Sequence, residues 1–259
     1  MPKAPPTKRP RSRAAALRAG VLGRLLAAPE PRRPWVSLVF LAPALGFYTA
    51  GLVWVRPDLA SAGDLLLRRG LALVGLTGVT LPAAVVVVVL VIWHLVRRDP
   101  WTFPPRVLAA MVVETAILLV PLVALHGVFR AMDALLESVL ALGPAAGPGW
   151  LAAAMASIGT GIYEELLFRL VLVGGLLLLC RAGLGLKEQG AMVAAVLIAG
   201  AIFAGAHTIY APHAFTWPTF LFRTAAGIYL GGLFAARGFG IATGVHIGYN
   251  LVLRLFSLS

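Results

Sequence analysis

Repeated apolar runs of helix length constrain this chain more than any other feature. A helix needs ~20 predominantly apolar residues to cross the hydrocarbon of a bilayer. Runs of that length recur from Trp35 almost to the last residue. In lipid only helices or closed barrels satisfy every backbone group, and repeated helix-length runs select helices. The expected fold class is therefore all-α: a polytopic transmembrane helical bundle with seven or eight spans. Composition agrees, because the chain is 60% hydrophobic and only 12% charged, whereas a soluble domain carries about a quarter charged residues.

The cations orient the bundle rather than bind nucleic acid. The net charge is +12, and much of it lies in the first 33 residues, at Lys3, Lys8, Arg9, Arg11, Arg13, Arg18, Arg24, Arg32 and Arg33. The positive-inside rule places that end in the cytoplasm, so the expected location is a cell inner membrane, multi-pass, with a cytoplasmic N-terminus. Residues 1–34 form a basic, proline-rich tail without a short apolar core and cleavage site, and no cleaved signal peptide is expected. Within the tail, Arg18–Arg33 reads either as an amphipathic surface helix or as a disordered segment. Cys180 is the single cysteine, which excludes a disulfide framework and a cysteine-based metal site within one chain.

Spans are expected at about 35–55, 71–96, 107–129, 150–180, 191–210, 215–236 and 239–255. Asp58, Asp64, Arg68 and Arg69 mark a short loop between the first two, and Met132–Leu142 suits an interfacial helix. The run from Trp150 to Cys180 exceeds one crossing. It is either strongly tilted, broken near Gly159–Gly161, or an interfacial lead-in plus one span. Two regions follow the tail: 35–149, N-terminal transmembrane helices without a motif, and 150–259, where the intramembrane polar groups concentrate.

The stretch Gly161-Ile-Tyr-Glu-Glu-Leu-Leu-Phe-Arg169 puts two carboxylates and a guanidinium inside apolar sequence. An ionised group in hydrocarbon is costly unless paired or hydrated, so it is read as functional by default. Glu165 and Arg169 are i and i+4 and can pair. Glu164 is rotated roughly 100° from Glu165 and is left available for chemistry, the bland alternative being a spectator beside a buried ion pair. Two later spans carry similar pairs: Phe203 with His207, and His246 with Asn250, each at i and i+4. The small residues Ala204, Gly205 and Ala206 permit close helix contact.

These groups make a coherent chemistry. A desolvated carboxylate becomes a competent base near neutral pH. An imidazole shares its proton with an attacking water, and a second imidazole with an amide N–H donates to the oxyanion of a tetrahedral intermediate. Peptide-bond hydrolysis is the reaction class, with Glu164 and His207 in the first role and His246 and Asn250 in the second.

Glu-Glu-x-x-x-Arg (Glu164, Glu165, Arg169), Phe-x-x-x-His (Phe203, His207) and His-x-x-x-Asn (His246, Asn250), in that order, closely resemble the CAAX-protease and bacteriocin-processing family. These intramembrane endopeptidases include the Ras-converting enzyme and abortive-infection proteins. The resemblance covers about residues 150–257, including the glycine-rich Gly227–Arg237 stretch. It implies Glu164 as base, His207 as its partner, His246 and Asn250 as oxyanion donors, and Glu165, Arg169 and Phe203 as structural support. It also implies a membrane-anchored protein or peptide as substrate.

A metal-free mechanism is the favoured reading, with no cofactor. Zinc is the alternative, held by Glu164, His207 and His246, since a catalytic zinc needs about three protein ligands plus water. Two substrates compete, a prenylated or otherwise membrane-anchored C-terminal peptide and a bacterial target such as a leader peptide or the C-terminal membrane tail of a surface-sorted protein; the Ala/Gly/Arg-rich composition suggests a high-GC bacterium and favours the second. Two rival functions remain: a proton-coupled membrane transporter, which predicts an inverted repeat not visible in the sequence, and a catalytically silent scaffold. Glu114 is expected to bond a neighbouring helix or pair with Arg223, and Arg223 to join a structural pair or hold a substrate carboxylate. His94 and His126 read as interfacial, His213 as a loop residue, and Trp35, Trp101, Trp150 and Trp217 as interfacial anchors.

Overall fold

A computed structural model describes residues 30–55, 59–137, 149–210 and 215–255. Every regular element among them is helical. After a single 3-10 turn at Glu30–Arg32 come α1 (Pro34–Trp54), α2 (Ala62–Ala72), α3 (Leu81–Arg97) and α4 (Pro105–Glu137). They are followed by α5 (Trp150–Gly183), α6 (Glu188–Tyr210), α7 (Trp217–Arg237) and α8 (Phe239–Leu255). Residues 1–29 of the basic tail, Asp58 and His213 lie outside the described residues, as does the end of the expected 132–142 helix. The start of that segment simply continues α4.

Five of these helices are long and apolar enough to cross a membrane, namely α1, α4, α5, α6 and α7 within the described residues. The chain is a multi-pass membrane protein. Helices α3 and α8 have 17 residues each, which at 1.5 Å per residue is about 25 Å, slightly under a full crossing. The expected span at 71–96 is divided, because α2 stops at Ala72 and α3 starts at Leu81. Gly75 in between has φ 80°, a left-handed conformation that glycine adopts without steric penalty. Asp64 and Arg68, expected in a loop, lie on α2, whose first turn is capped by Ser61 accepting from the Asp64 N–H at 3.3 Å.

Helix α5 is continuous over 34 residues, about 50 Å of helix against ~30 Å of hydrocarbon. The break considered near Gly159–Gly161 is not there. The chain is regular α from Trp150 to Glu165 and widens to π-helix over Leu166–Val173, immediately after the two glutamates. Glu164 therefore ends a regular helix and does not start a new one. Single π turns inside α-helices recur at functional sites.

Helix α8 is central and packs against α1, α4, α5 and α7. Gly161 makes the α5–α8 contact possible: a Cβ there would lie 2.5 Å from Ile247 Cγ1 and 3.0 Å from the Ile247 backbone nitrogen. The close approach of α6 to α7 falls at Gly200 against Gly227, where an added Cβ would stand 3.0 Å from the opposing Cα. The expected contact residue Gly205 has open space instead. Small residues at such crossings let backbones meet without an aqueous driving force.

Candidate active site

The polar groups of α5, α6 and α8 meet where these close contacts draw the helices together. Glu165 is fully buried and Arg169 is 1% exposed. Arg169 Nε lies 3.2 Å from Glu165 Oε2, Arg169 Nη2 donates to the Gly227 carbonyl at 3.2 Å, and the guanidinium stacks 4.7 Å above the Phe203 ring. Phe203 is held edge-on by Phe168 at 5.0 Å and lies 4.4 Å from the His207 ring. The arginine thus ties α5 to α7 and, through Phe203, to α6.

Glu165 has a second partner that spacing alone did not reveal. His246 Nδ1 donates to Glu165 Oε1 at 2.8 Å, across 81 positions of sequence. On the other helix, His207 Nδ1 donates to the Phe203 carbonyl at 2.9 Å. A carbonyl or an ionised carboxylate only accepts, so both histidines carry their proton on Nδ1 and turn Nε2 inward. Both Nε2 atoms face the same oxygen: Glu164 Oε2 stands 3.5 Å from His207 Nε2 and 3.9 Å from His246 Nε2. Glu164 is 8% exposed, and that oxygen makes no hydrogen bond. Gaps of this size are where a water belongs.

These groups line a cavity of about 310 Å³ bounded by α4 to α8, which also contains Asn250, Arg223 and His126. The Asn250 amide nitrogen is buried without a partner. All four residues singled out in sequence, Glu164, His207, His246 and Asn250, line this one cavity. Glu164 and His207 also line a second, more apolar cavity of about 260 Å³ under α2, with Leu65, Leu66 and Phe168.

The zinc alternative calls on Glu164, His207 and His246. Its donor atoms are of the right type, but the described residues include no group of three His, Cys, Asp or Glu side chains that could hold a metal ion.

Several peripheral expectations are corrected. Glu114 bonds a neighbouring helix as expected, but it does so by pairing with Nε and Nη2 of Arg237, not with Arg223. Those arginines stand fourteen positions apart, about 21 Å along α7, so one carboxylate cannot serve both. His94 is buried within the protein, 1% exposed, packed 4.1 Å from the Trp101 ring and beside Trp35. Trp35 itself is half-buried, unlike the exposed Trp101, Trp150 and Trp217. His126 accepts from or donates to the Tyr249 hydroxyl at 2.9 Å at the cavity wall.

Fold and site together define a polytopic helical membrane protein with a buried carboxylate between two inward-turned imidazoles. Residues 146–252, somewhat under half of the chain, match the family model described as type II CAAX prenyl endopeptidase Rce1-like. The matched region contains Glu164, Glu165, Arg169, Phe203, His207, His246 and Asn250. No curated protein and no solved structure was found to match the chain.

Proposed function

We propose that the protein is an intramembrane endopeptidase that hydrolyses a peptide bond in a membrane-anchored protein or peptide, with water activated by Glu164 and His207 and without a metal. The observation that carries this reading is the Glu164 Oε2 atom. It is buried, has no hydrogen bond, and is faced by imidazole Nε2 atoms from two other helices.

Glu164 Oε2 and His207 Nε2 are both acceptors, 3.5 Å apart. A water placed between them gives one hydrogen to each and turns its lone pair outward. As its oxygen adds to the scissile carbonyl carbon, the proton passes to Glu164, which then delivers it to the departing amine nitrogen. The carbonyl oxygen becomes an oxyanion, and the Asn250 amide donates to it. His246 donates from Nε2, which requires a second ring proton, and Glu165 supports the resulting imidazolium through the 2.8 Å bond at Nδ1. With Arg169 opposite Glu165, two carboxylates then balance one guanidinium and one imidazolium. The basic N-terminal segment supports a cytoplasmic N-terminus in an inner membrane, and the Ala/Gly/Arg-rich composition supports a bacterial substrate such as a leader peptide or membrane tail.

Mass spectrometry of membrane-protein termini, from cells carrying wild type or Glu164→Gln, tests the reading. A set of new termini should vanish in the mutant while the protein stays at wild-type level in the membrane. Unchanged termini in the mutant would remove Glu164 from any hydrolytic role.

A further inference from the structure

The chamber that holds Glu164 lies toward one end of the bundle, and helix direction shows which. On α4 its lining residues run from Leu122 to Arg130, in the second half of that helix, and on α8 from His246 to Arg254, in its last turns. Helix α7 runs the opposite way, and there the lining stops at Leu230, short of the helix end. The exposed Arg130 and Arg254 stand at the mouth. Arg106, at the start of α4, is 24 positions from Arg130, about 36 Å along the helix. The cavity under α2 lies in the same half, since its α6 residues, Ala206 and His207, come from near the end of that helix.

The start of α1 belongs to the other end. Arg32 Nη2 donates to the Ala235 carbonyl at 2.8 Å, and Ser37 Oγ accepts from the Gly240 N–H at 3.1 Å, so residues 32–37 sit beside the α7–α8 turn. Trp35 packs 5.0 Å from Trp101 in the α3–α4 connection. The charges of the connections follow this division. Residues 1–33 carry the nine cations named above against one acid, Glu30. Arg97, Arg98 and Arg106 flank the α3–α4 connection, and Arg181 and Lys187 flank the one between α5 and α6. At the chamber end, the connections 55–61, 138–149 and 211–216 hold one cation between them, Arg56. Even with the helix-borne Arg68, Arg69, Arg130, Arg223 and Arg254 added, that end has fewer cations than residues 1–33 alone. Lys and Arg near span ends stay in the cytoplasm, so the chamber end lies outside.

We infer that the chamber opens on the extracytoplasmic face of the membrane, and that its substrate is a membrane-anchored segment whose scissile bond has already been carried across. A cut site that stays in the cytoplasm, such as that of a lipidated cytoplasmic C-terminus, meets the closed end of the bundle and does not reach Glu164. The reaction that supplies the substrate is therefore translocation. This inference rests on the peptidase reading for its substrate, but the orientation of the chamber is testable without turnover.

The orientation test uses the full chain in the inner membrane of an expression host. Arg254→Cys and Arg106→Cys are made in a Cys180→Ala background, and intact spheroplasts are treated with a membrane-impermeant maleimide. Arg254→Cys should react there, and Arg106→Cys only after the membrane is permeabilised. As a measurement free of any substitution, alkaline phosphatase, which is active only outside the cytoplasm, is fused after Ser259 and should be active. The substrate is read from the membrane-protein termini that depend on Glu164. Each should fall in a segment exposed on the extracytoplasmic side, and blocking translocation in the host should abolish them.

Reaction of Arg106→Cys instead of Arg254→Cys in intact spheroplasts, reaction of both from one side, or a phosphatase fusion that is inactive at normal abundance overturns the inference and leaves the peptidase reading standing. Glu164-dependent termini in cytoplasmic segments overturn the substrate class and likewise spare the peptidase reading. The expected labelling with no Glu164-dependent termini at all would support the orientation and sink the peptidase reading.

Discussion

Asp64 on α2 and Glu164 on α5 are neighbouring buried carboxylates with opposite surroundings. A Cβ at Gly63 would lie 3.4 Å from the Glu164 backbone nitrogen. Asp64 is fully buried and hydrogen-bonded at both oxygens: Arg68 donates to them at 2.8 and 2.9 Å, and the Tyr48 hydroxyl donates at 2.8 Å. Tyr48 in turn accepts from the Ser61 N–H at 2.9 Å. Glu164 has almost the same burial, yet its Oε2 has no hydrogen bond and only imidazoles beyond bonding distance. A buried acid with both oxygens hydrogen-bonded fixes a fold. One held among groups that stop short of it has room for a reactant.

Four predictions sharpen or break that contrast. The largest effect is on turnover. Glu164→Gln should lower kcat by at least the ~10²–10⁴ typical of a general base and leave thermal stability near wild type. If it unfolds the protein instead, Glu164 belongs with Asp64 as a structural acid.

Next comes Arg169→Leu. Glu165 would keep only His246 as partner in a fully buried site, and removing one member of such a pair costs about 3–5 kcal/mol. Melting temperature and membrane yield should fall with activity. A fully stable, inactive variant would move Arg169 to substrate binding.

The third concerns the oxyanion side and the metal. His246→Ala and Asn250→Ala should each lower kcat by about 10²–10³, as loss of one oxyanion donor does. Elemental analysis of purified wild type should find no stoichiometric zinc. Near one zinc per chain, lost in His246→Ala and retained in Asn250→Ala, would overturn the metal-free mechanism.

The smallest effect is at Asp64. Asp64→Ala leaves Arg68 and the Tyr48 hydroxyl without their acceptor, at about 1–3 kcal/mol for a group left unsatisfied. Stability should drop while the surviving protein cleaves at nearly the wild-type rate per molecule. A large loss in kcat at unchanged stability would show that the α2 network reaches the base, and the contrast between the two acids would collapse.

Hydropathy and i,i+4 spacing determined a good deal by themselves. Apolar run length determined the helical membrane fold, because lipid leaves the backbone no other way to satisfy its hydrogen bonds. Local spacing determined the pairing of Glu165 with Arg169 and the stacking of Phe203 on His207, since both are contacts within one helix.

Tertiary structure decided what depends on how helices approach one another. The bond from His246 to Glu165 spans 81 positions and exists because Gly161 lets α8 come within reach of α5. Glu114 chose Arg237 over Arg223 through the relative height of α4 and α7, which no periodicity encodes. The burial of Asp64 was equally hidden, because a carboxylate beside two arginines reads as a solvated loop until Tyr48 from α1 is seen to cover it. Helix-internal contacts follow from a fixed 1.5 Å rise and 3.6-residue turn. Contacts between helices follow from side-chain volumes at the crossing points, and those are set only when the bundle packs.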